Sequence, residues 1–436
     1  MDRTDRHLLE ALQRDSSRSV EQLCVGLYVM LDVPWLDHSF ARNSFRIKSD
    51  DQVRSIKALG IKTIRVESTL CECKPLPMPE VGAPEARPDT SEPTADQLAF
   101  INAKKLRIEK LVAEREAIGR CEKEYQKSAT AIKSITRNLF ARPEESYKSA
   151  EQLTQQMLDS MLAEKDIAIH LMNDKIAGEE AYYHSLNVAI LSMMLAKELQ
   201  FAPEDIKTIG MGCLFHDIGK VELPDRIVNA RHELSRSEQN LFQQHCAYGY
   251  RIGEKLGLPK GALDIILQHH ECADGSGYPM HVTTEKISLL SRIVGIVNAY
   301  DNHLNRPNPT DSLSPYDALV LMFAHQRKLF DPSALNIFIR CMGVYPPGTV
   351  VKLNDGSYGM VVSVNSGKPL RPTILIYDPS VPRNEAIIID LSGEAELEVK
   401  SSIKPDLLPQ EIYAYLSPRK RIAYYFDAQK SAPGKP

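Results

Sequence analysis

Between Glu180 and Pro279, this 436-residue chain sets out imidazoles and carboxylates at intervals that only a particular fold can bring together. The series runs Glu180-x-x-x-His184, His216-Asp217, His245 and His269-His270, and closes on Asp274-Gly275-Ser276-Gly277-Tyr278-Pro279. Imidazole and carboxylate are the side chains that hold first-row divalent metals. Here they punctuate segments whose apolar residues recur with helical spacing; Leu186, Ile190 and Met193 line one face of the segment that His184 begins. The helices must therefore pack so that groups tens of residues apart converge. The pattern points to hydrolytic chemistry on several metals held by a helical scaffold.

Each piece has its own logic. Glu180 and His184 lie four apart, on one face of a helix. His216-Asp217 ends the apolar run Met211 to Phe215 and is followed by Ile218-Gly219-Lys220. That order offers an imidazole to ligate, a carboxylate to bridge and an ammonium to meet a phosphate oxygen. Alone, a buried His-Asp pair would be an ordinary hydrogen-bonded core pair, and His245 a surface or core histidine. Five histidines accompanied by carboxylate, lysine or glycine at such offsets are not explained that way. His269 and His270 point about 100° apart on a helix, so both reach one site only if two metals or a bend receive them. Gly275 and Gly277 permit positive φ, and Pro279 stiffens the exit. Glu271 either orients the histidine pair from behind or is a surface residue at a helix end.

The rest of the chain bounds the class. An apolar share of 43% and a charged share of 25% fit a globular protein with a sizeable core. A formal charge of −4 gives no bulk attraction for a nucleic-acid polymer. No stretch has the roughly 18 apolar residues that span a bilayer, and the charged run Met1 to Arg18 lacks the apolar centre of a signal peptide. The eight scattered cysteines contain no CxxC pair, which suits a reducing cytoplasm.

Residues 1–70 read as a small α+β unit: strand content at Cys24 to Met30, Phe45 to Lys48 and Ile61 to Val66, and a helix capped by Asp50 or Asp51 that Gly60 stops. Trp35 reads as a packing anchor. A Pro-rich linker follows at 71–93, then a charged connecting helix at 94–142 with a thin apolar stripe interrupted by Gly119. That helix either faces a partner, pairing two chains through 94–140, or lies on its own domain. Residues 143–345 read as helical throughout, 346–401 as a small antiparallel β subdomain, and 402–436 as an arm carrying the solvated cluster Arg419-Lys420-Arg421.

The motifs His216-Asp217-Ile218-Gly219-Lys220, His269-His270-Glu271 and Gly277-Tyr278-Pro279 resemble those of the HD-GYP family, bacterial cyclic di-GMP phosphodiesterases within the HD superfamily. The likeness spans about residues 145–345. More weakly, Val25-Gly26-Leu27-Tyr28-Val29 and Leu31-Asp32-x-x-Trp35 resemble the domain of unknown function that precedes a subset of these proteins. The fold expected is mainly α, a helical bundle between a small α+β domain and a small C-terminal β subdomain.

The resemblance implies two or three divalent metals, iron or manganese. Their ligands would be His184, His216, Asp217 as bridge, His245, His269 and His270, with Glu180 available to a third metal. It implies Lys220 at the scissile phosphate, Gly277, Tyr278 and Asp301 at substrate, and opening of cyclic di-GMP to pGpG or on to GMP. The Gly277-Tyr278-Pro279 loop would be a place for signalling-protein partners. One departure stands out: Asn298 occupies the slot of a ligating aspartate, three residues before Asp301. The stretch after Asp301 is apparently one residue short of the family pattern, which leaves Arg306 as the match for a substrate-binding arginine. A neutral carboxamide is a poorer donor to a hard cation, so a module that binds the dinucleotide or a partner without turnover is the alternative expectation.

Overall fold

The computed structural model describes residues 17–33, 38, 40, 44–78, 95–163, 168–172, 180–230, 232–365, 367–379, 381, 383, 386–394, 397–417 and 422–427. Trp35 and Arg419-Lys420-Arg421 lie outside these residues, as does most of the Pro-rich linker. The chain separates into one compact unit of residues 1–115 with 354–357 and 376–389, and a second of residues 116–353 with 358–375 and 390–436.

In the first unit, strands β1 (Ser17–Ser19), β2 (Tyr28–Met30), β3 (Ser44–Arg46) and β4 (Thr63–Val66) form an antiparallel sheet in the order β1-β4-β2-β3. Helix α1 (Asp50–Lys57) is capped by Ser49, whose Oγ accepts from the Gln52 N–H, and not by Asp50 or Asp51. Those two carboxylates instead occupy the first turn, at the positive end of the helix dipole. Leu27, Val29, Ile47, Ile56 and Ile64 close a core beneath the sheet. Strand β1 escaped the sequence reading because Ser-Arg-Ser carries no alternating apolar signal.

The second unit is mainly helical. Helix α2 (Ala95–Asn138), of which residues 116–138 belong to this unit, runs unbroken through Gly119 and is followed by α3 (Pro143–Ala163), α4 (Glu180–Glu198) and α5 (Pro203–Phe215). Then come α6 (Arg236–Gln243), α7 (His245–Lys255), α8 (Lys260–Gln268), α9 (Leu289–Leu304), α10 (Pro315–Ala324) and α11 (Pro332–Met342). Helix α4 is the hub. Leu186, Val188, Ala189, Ile190, Leu191, Met193, Met194 and Leu195 are all buried, so it is apolar on every side, as a helix enclosed by others must be.

From Ala117 onward the stripe of α2 turns inward: Cys121, Tyr125, Ile132, Ile135 and Leu139 are buried within this chain. The apolar face of that half of the helix therefore belongs to this chain's own core.

A second correction concerns the β elements. Strands β6 (Val350–Leu353), β7 (Tyr358–Asn365), β8 (Thr373–Ile376) and β9 (Ile387–Asp390) form where β-branched residues alternate. They do not stand alone, because β5 (Ala168–Leu171), inside the stretch read as helical, pairs with β7 on one side and β11 (Tyr424–Asp427) on the other. With β10 (Val399–Ser402) the path is β10-β6-β7-β5-β11.

Residues 422–426 of the C-terminal arm are therefore core. Tyr424 is fully buried, its hydroxyl 3.1 Å from that of Tyr300 and donating to the Pro347 carbonyl at 3.3 Å. Tyr424→Ala is expected to cost about 3–5 kcal/mol, the scale for emptying a buried aromatic site, read as a shift of the denaturant midpoint. A change within about 0.5 kcal/mol, the surface value, would return the segment to solvent.

A candidate metal centre

Four helix boundaries deliver the histidines. His184 lies in the second turn of α4, His216 follows the last residue of α5, His245 opens α7, and His269-His270 follow α8. Each of the first four is oriented by a hydrogen bond at Nδ1. His216 Nδ1 is 2.7 Å from the Cys213 carbonyl, His245 Nδ1 is 2.7 Å from that of Phe242, and His269 Nδ1 is 2.9 Å from that of Ile266. His184 Nδ1 is 2.6 Å from Asp301 Oδ2 instead. A carbonyl or carboxylate there requires the proton on Nδ1, which leaves the Nε2 lone pair free to ligate.

Those four Nε2 atoms surround Asp217. Oδ2 lies 3.5 Å from His216 Nε2 and 3.7 Å from His184 Nε2; Oδ1 lies 3.4 Å from His245 Nε2 and 3.7 Å from His269 Nε2. Ligand atoms of Asp217, His245, His269 and His270 form one group within 4.8 Å, and those of His184, His216 and Asp217 another. The carboxylate thus faces two donor sets, one per oxygen.

Two observations fit divalent cations there. Asp217 Oδ1 is buried with no hydrogen-bond partner among the described residues, a costly state for a carboxylate that a cation relieves. The Nε2 pairs of His184 with His216, at 3.1 Å, and of His245 with His269, at 3.3 Å, place lone pair against lone pair unless a positive charge sits near both. The HD domain and this His/Asp cluster together have the donor chemistry of a divalent-metal site.

Electrostatics agrees. Burial lowers the pKa of His216 to about 4 and depresses those of His245, His269 and His270, so these rings are neutral near pH 7. Burial opposes ionisation of Asp217, but Lys220 and then the surrounding imidazoles outweigh it and hold its carboxyl well below the usual range. Lys220 Nζ is 2.5 Å from Asp217 Oδ2 and lies over the Phe242 ring.

Backbone contact makes the spacing tight. A Cβ on Gly219 would fall 1.9 Å from the His245 carbonyl oxygen and 2.4 Å from the Gly249 nitrogen. Only glycine lets the turn after Asp217 press onto the start of α7.

The glycine loop supports the pair from outside. A Cβ on Gly277 would sit 2.3 Å from the Cys272 nitrogen and 2.4 Å from the His270 carbonyl oxygen. Tyr278 is half-buried and stacks on His270, ring centres 4.5 Å apart, and desolvation raises its phenol pKa. Gly277 and Tyr278 thus pack against the backbone and ring of His270. Glu271 does not reach the histidines: its carboxylate accepts from the backbone N–H groups of Met280 and Val282, clamping the loop.

Asp301, read in the sequence as a substrate residue, is fully buried and bonded to His184. Asn298 is buried on α9, its Oδ1 accepting from Asn302 Nδ2 at 3.1 Å. Arg306 follows α9, half-buried, its backbone N–H donating to Ser312 Oγ. The side chain of Glu180 lies outside the described residues. The Nδ1 acceptors were missed by sequence reasoning, although a carbonyl three residues before a histidine at a helix end was a readable signal.

Comparison with known proteins places this site. Residues 142–334 match the HD domain, residues 17–150 a domain of unknown function (DUF3391), and residues 350–410 a KOW domain associated with the HD domain. Residues 142–334 of this chain are thus an HD domain. Cyclic di-GMP phosphodiesterase PA4108 of Pseudomonas aeruginosa is 27% identical over 82% of this chain and 84% of its own. Cyclic di-GMP phosphodiesterase PdeB of Borreliella burgdorferi is 27% identical over 46% of this chain and 53% of its own. A 3'3'-cGAMP-specific phosphodiesterase 3 of Vibrio cholerae is 30% identical over 37% and 35%. Among solved structures, Bd1817, a HDG"Y"P protein from Bdellovibrio bacteriovorus, aligns over 73% of this chain and 96% of its own at 14% identity and a TM-score of 0.41.

Two outcomes are expected. Asp217→Ala removes the shared carboxylate and should abolish tight binding at both donor sets; full metal content by elemental analysis would reject the shared role. The metal-free protein should lose stability as pH falls from about 6.5 to about 4. The unfolded chain protonates His216 near its ordinary value of 6.5, and the folded chain only near 4. Thermal melts across that window give the sign.

Proposed function

We propose that this protein is a metal-dependent phosphodiesterase that opens cyclic di-GMP to linear pGpG, and on to GMP, in the cytoplasm of a bacterium. The observation that carries the reading is Asp217, with each oxygen turned to its own pair of imidazole Nε2 atoms and Lys220 at its open edge. The substrate is taken from the names of the relatives aligned over most or part of the chain. Iron or manganese, two or three ions, suits the imidazole and carboxylate donors.

His184 and His216 would hold one ion and His245, His269 and His270 another, with Asp217 shared. Bound there, the metals supply Lewis acidity toward a water and toward the phosphodiester oxygens. Nδ1 contacts keep the imidazoles aimed, and Tyr278 braces His270. The Lys220 ammonium meets the phosphate and stabilises the charge that develops on it. Asn298 and Glu180 complete the coordination; the amide of Asn298 serves more weakly than a carboxylate would. Arg306 remains the proposed substrate arginine.

Anaerobic purification, metal counting and chromatography of products from cyclic di-GMP and 3'3'-cGAMP test the reading. Release of pGpG supports it, and tight binding with no product rejects it in favour of a binding module. Lys220→Ala should lower kcat by about 10²–10³, the scale for losing one electrostatic donor, with metal content unchanged. Metal loss in that variant would give Lys220 a structural task. Asn298→Asp should raise occupancy at limiting metal; a flat titration would place residue 298 outside the coordination.

A further inference from the structure

Strand β11 lies beyond all three matched regions, which end at residue 410. Its approach is nonetheless bonded to the metal centre through two asparagines. Asp301 gives Oδ2 to His184 Nδ1, and its Oδ1 accepts from Asn187 Nδ2 at 2.7 Å and Asn305 Nδ2 at 3.0 Å. Both amides also hold the chain at Ile422 to Tyr424. Asn305 Oδ1 accepts from the Ile422 N–H at 2.9 Å, and Asn187 Oδ1 accepts from the Tyr424 N–H at 3.2 Å. The Ile422 carbonyl accepts from both amide nitrogens, at 3.1 and 2.9 Å.

The strand thereby decides which end of each amide faces Asp301. An asparagine side chain presents an acceptor oxygen or a donor nitrogen, and a half-turn exchanges them. The backbone N–H groups of Ile422 and Tyr424 claim the oxygens, so both nitrogens point at the buried carboxylate. With an amide reversed, Asp301 would meet an oxygen, lose a donor and hold the imidazole less firmly.

We infer that Asn187, Asn305 and the backbone at Ile422–Tyr424 are positioning groups for His184, tying the C-terminal strand to the His184–His216 half of the centre. The other half is oriented differently: His245 and His269 set their Nδ1 atoms on carbonyls of the helices that precede them. The inference rests on the metal reading above and adds an asymmetry to it.

The test is a manganese titration of full-length, metal-depleted protein, followed by electron paramagnetic resonance and calorimetry. Asn305→Ala should weaken one of the equivalents by about 10-fold or more, the scale for losing a group that orients a ligand, and leave the other at parent affinity. Tyr424→Phe serves as the control: it removes the hydroxyl contacts to Tyr300 and Pro347, keeps the backbone bonds, and should retain both equivalents while lowering the melting temperature. Parent affinity at every equivalent in Asn305→Ala would overturn the inference. So would equal weakening of all equivalents in both variants, the mark of a purely structural role. A parent protein that binds no manganese would overturn the metal reading itself, and this inference with it.

Discussion

Everything at the centre depends on where an imidazole keeps its proton. A histidine can ligate through Nε2 only while Nδ1 carries the hydrogen, and a buried N–H must have an acceptor. In three cases that acceptor is a carbonyl three residues earlier, at Cys213, Phe242 and Ile266. Carbonyls in the last turn of a helix lack an intrahelical partner. Ending α5, α6 and α8 near these histidines thus satisfies a helix terminus and fixes a tautomer with one bond. His184, inside α4, has no such carbonyl to spare and takes the carboxylate of Asp301.

The same economy governs charge. Deep burial keeps His216 and His269 neutral, and Lys220 keeps Asp217 ionised against burial. Neutral donors around one anion can accept dications without first shedding protons. Glycines at 219 and 277 let backbone touch backbone on either side of the cluster, so the ligands are fixed by main chain as well as by side-chain packing.

Much of this was legible in the sequence, and the limits have physical causes. His216-Asp217 and His269-His270 stood out because helical spacing and ligand chemistry coincide there. The strands from Val350 to Asp390 showed because β-branched residues alternate. Strand β5 did not: Ala-Ile-His-Leu is too short to show a period, and its partners lie at Ser363–Asn365 and Ala168's mate Asp427, far along the chain. Asp301 and Glu271 were recognised as important residues, but their bonding partners, His184 for one and the Met280 and Val282 N–H groups for the other, could not be read from spacing. Spacing says which groups approach the centre, while only packing says whether they face it or stand behind it. The apolar marks of α2 likewise announced a buried face without saying whose core it would enter.

The position of β11 has a bearing on how the protein is made. Domains fold in the order of synthesis where their contacts are local, but β5 must wait for β7 and β11 before its edges are paired. The asparagines beside Asp301 wait for Ile422. A nascent chain with every histidine already outside the ribosome still lacks the segment that turns those amides. The orientation of His184 thus depends on a segment far along the chain from the helix that carries it.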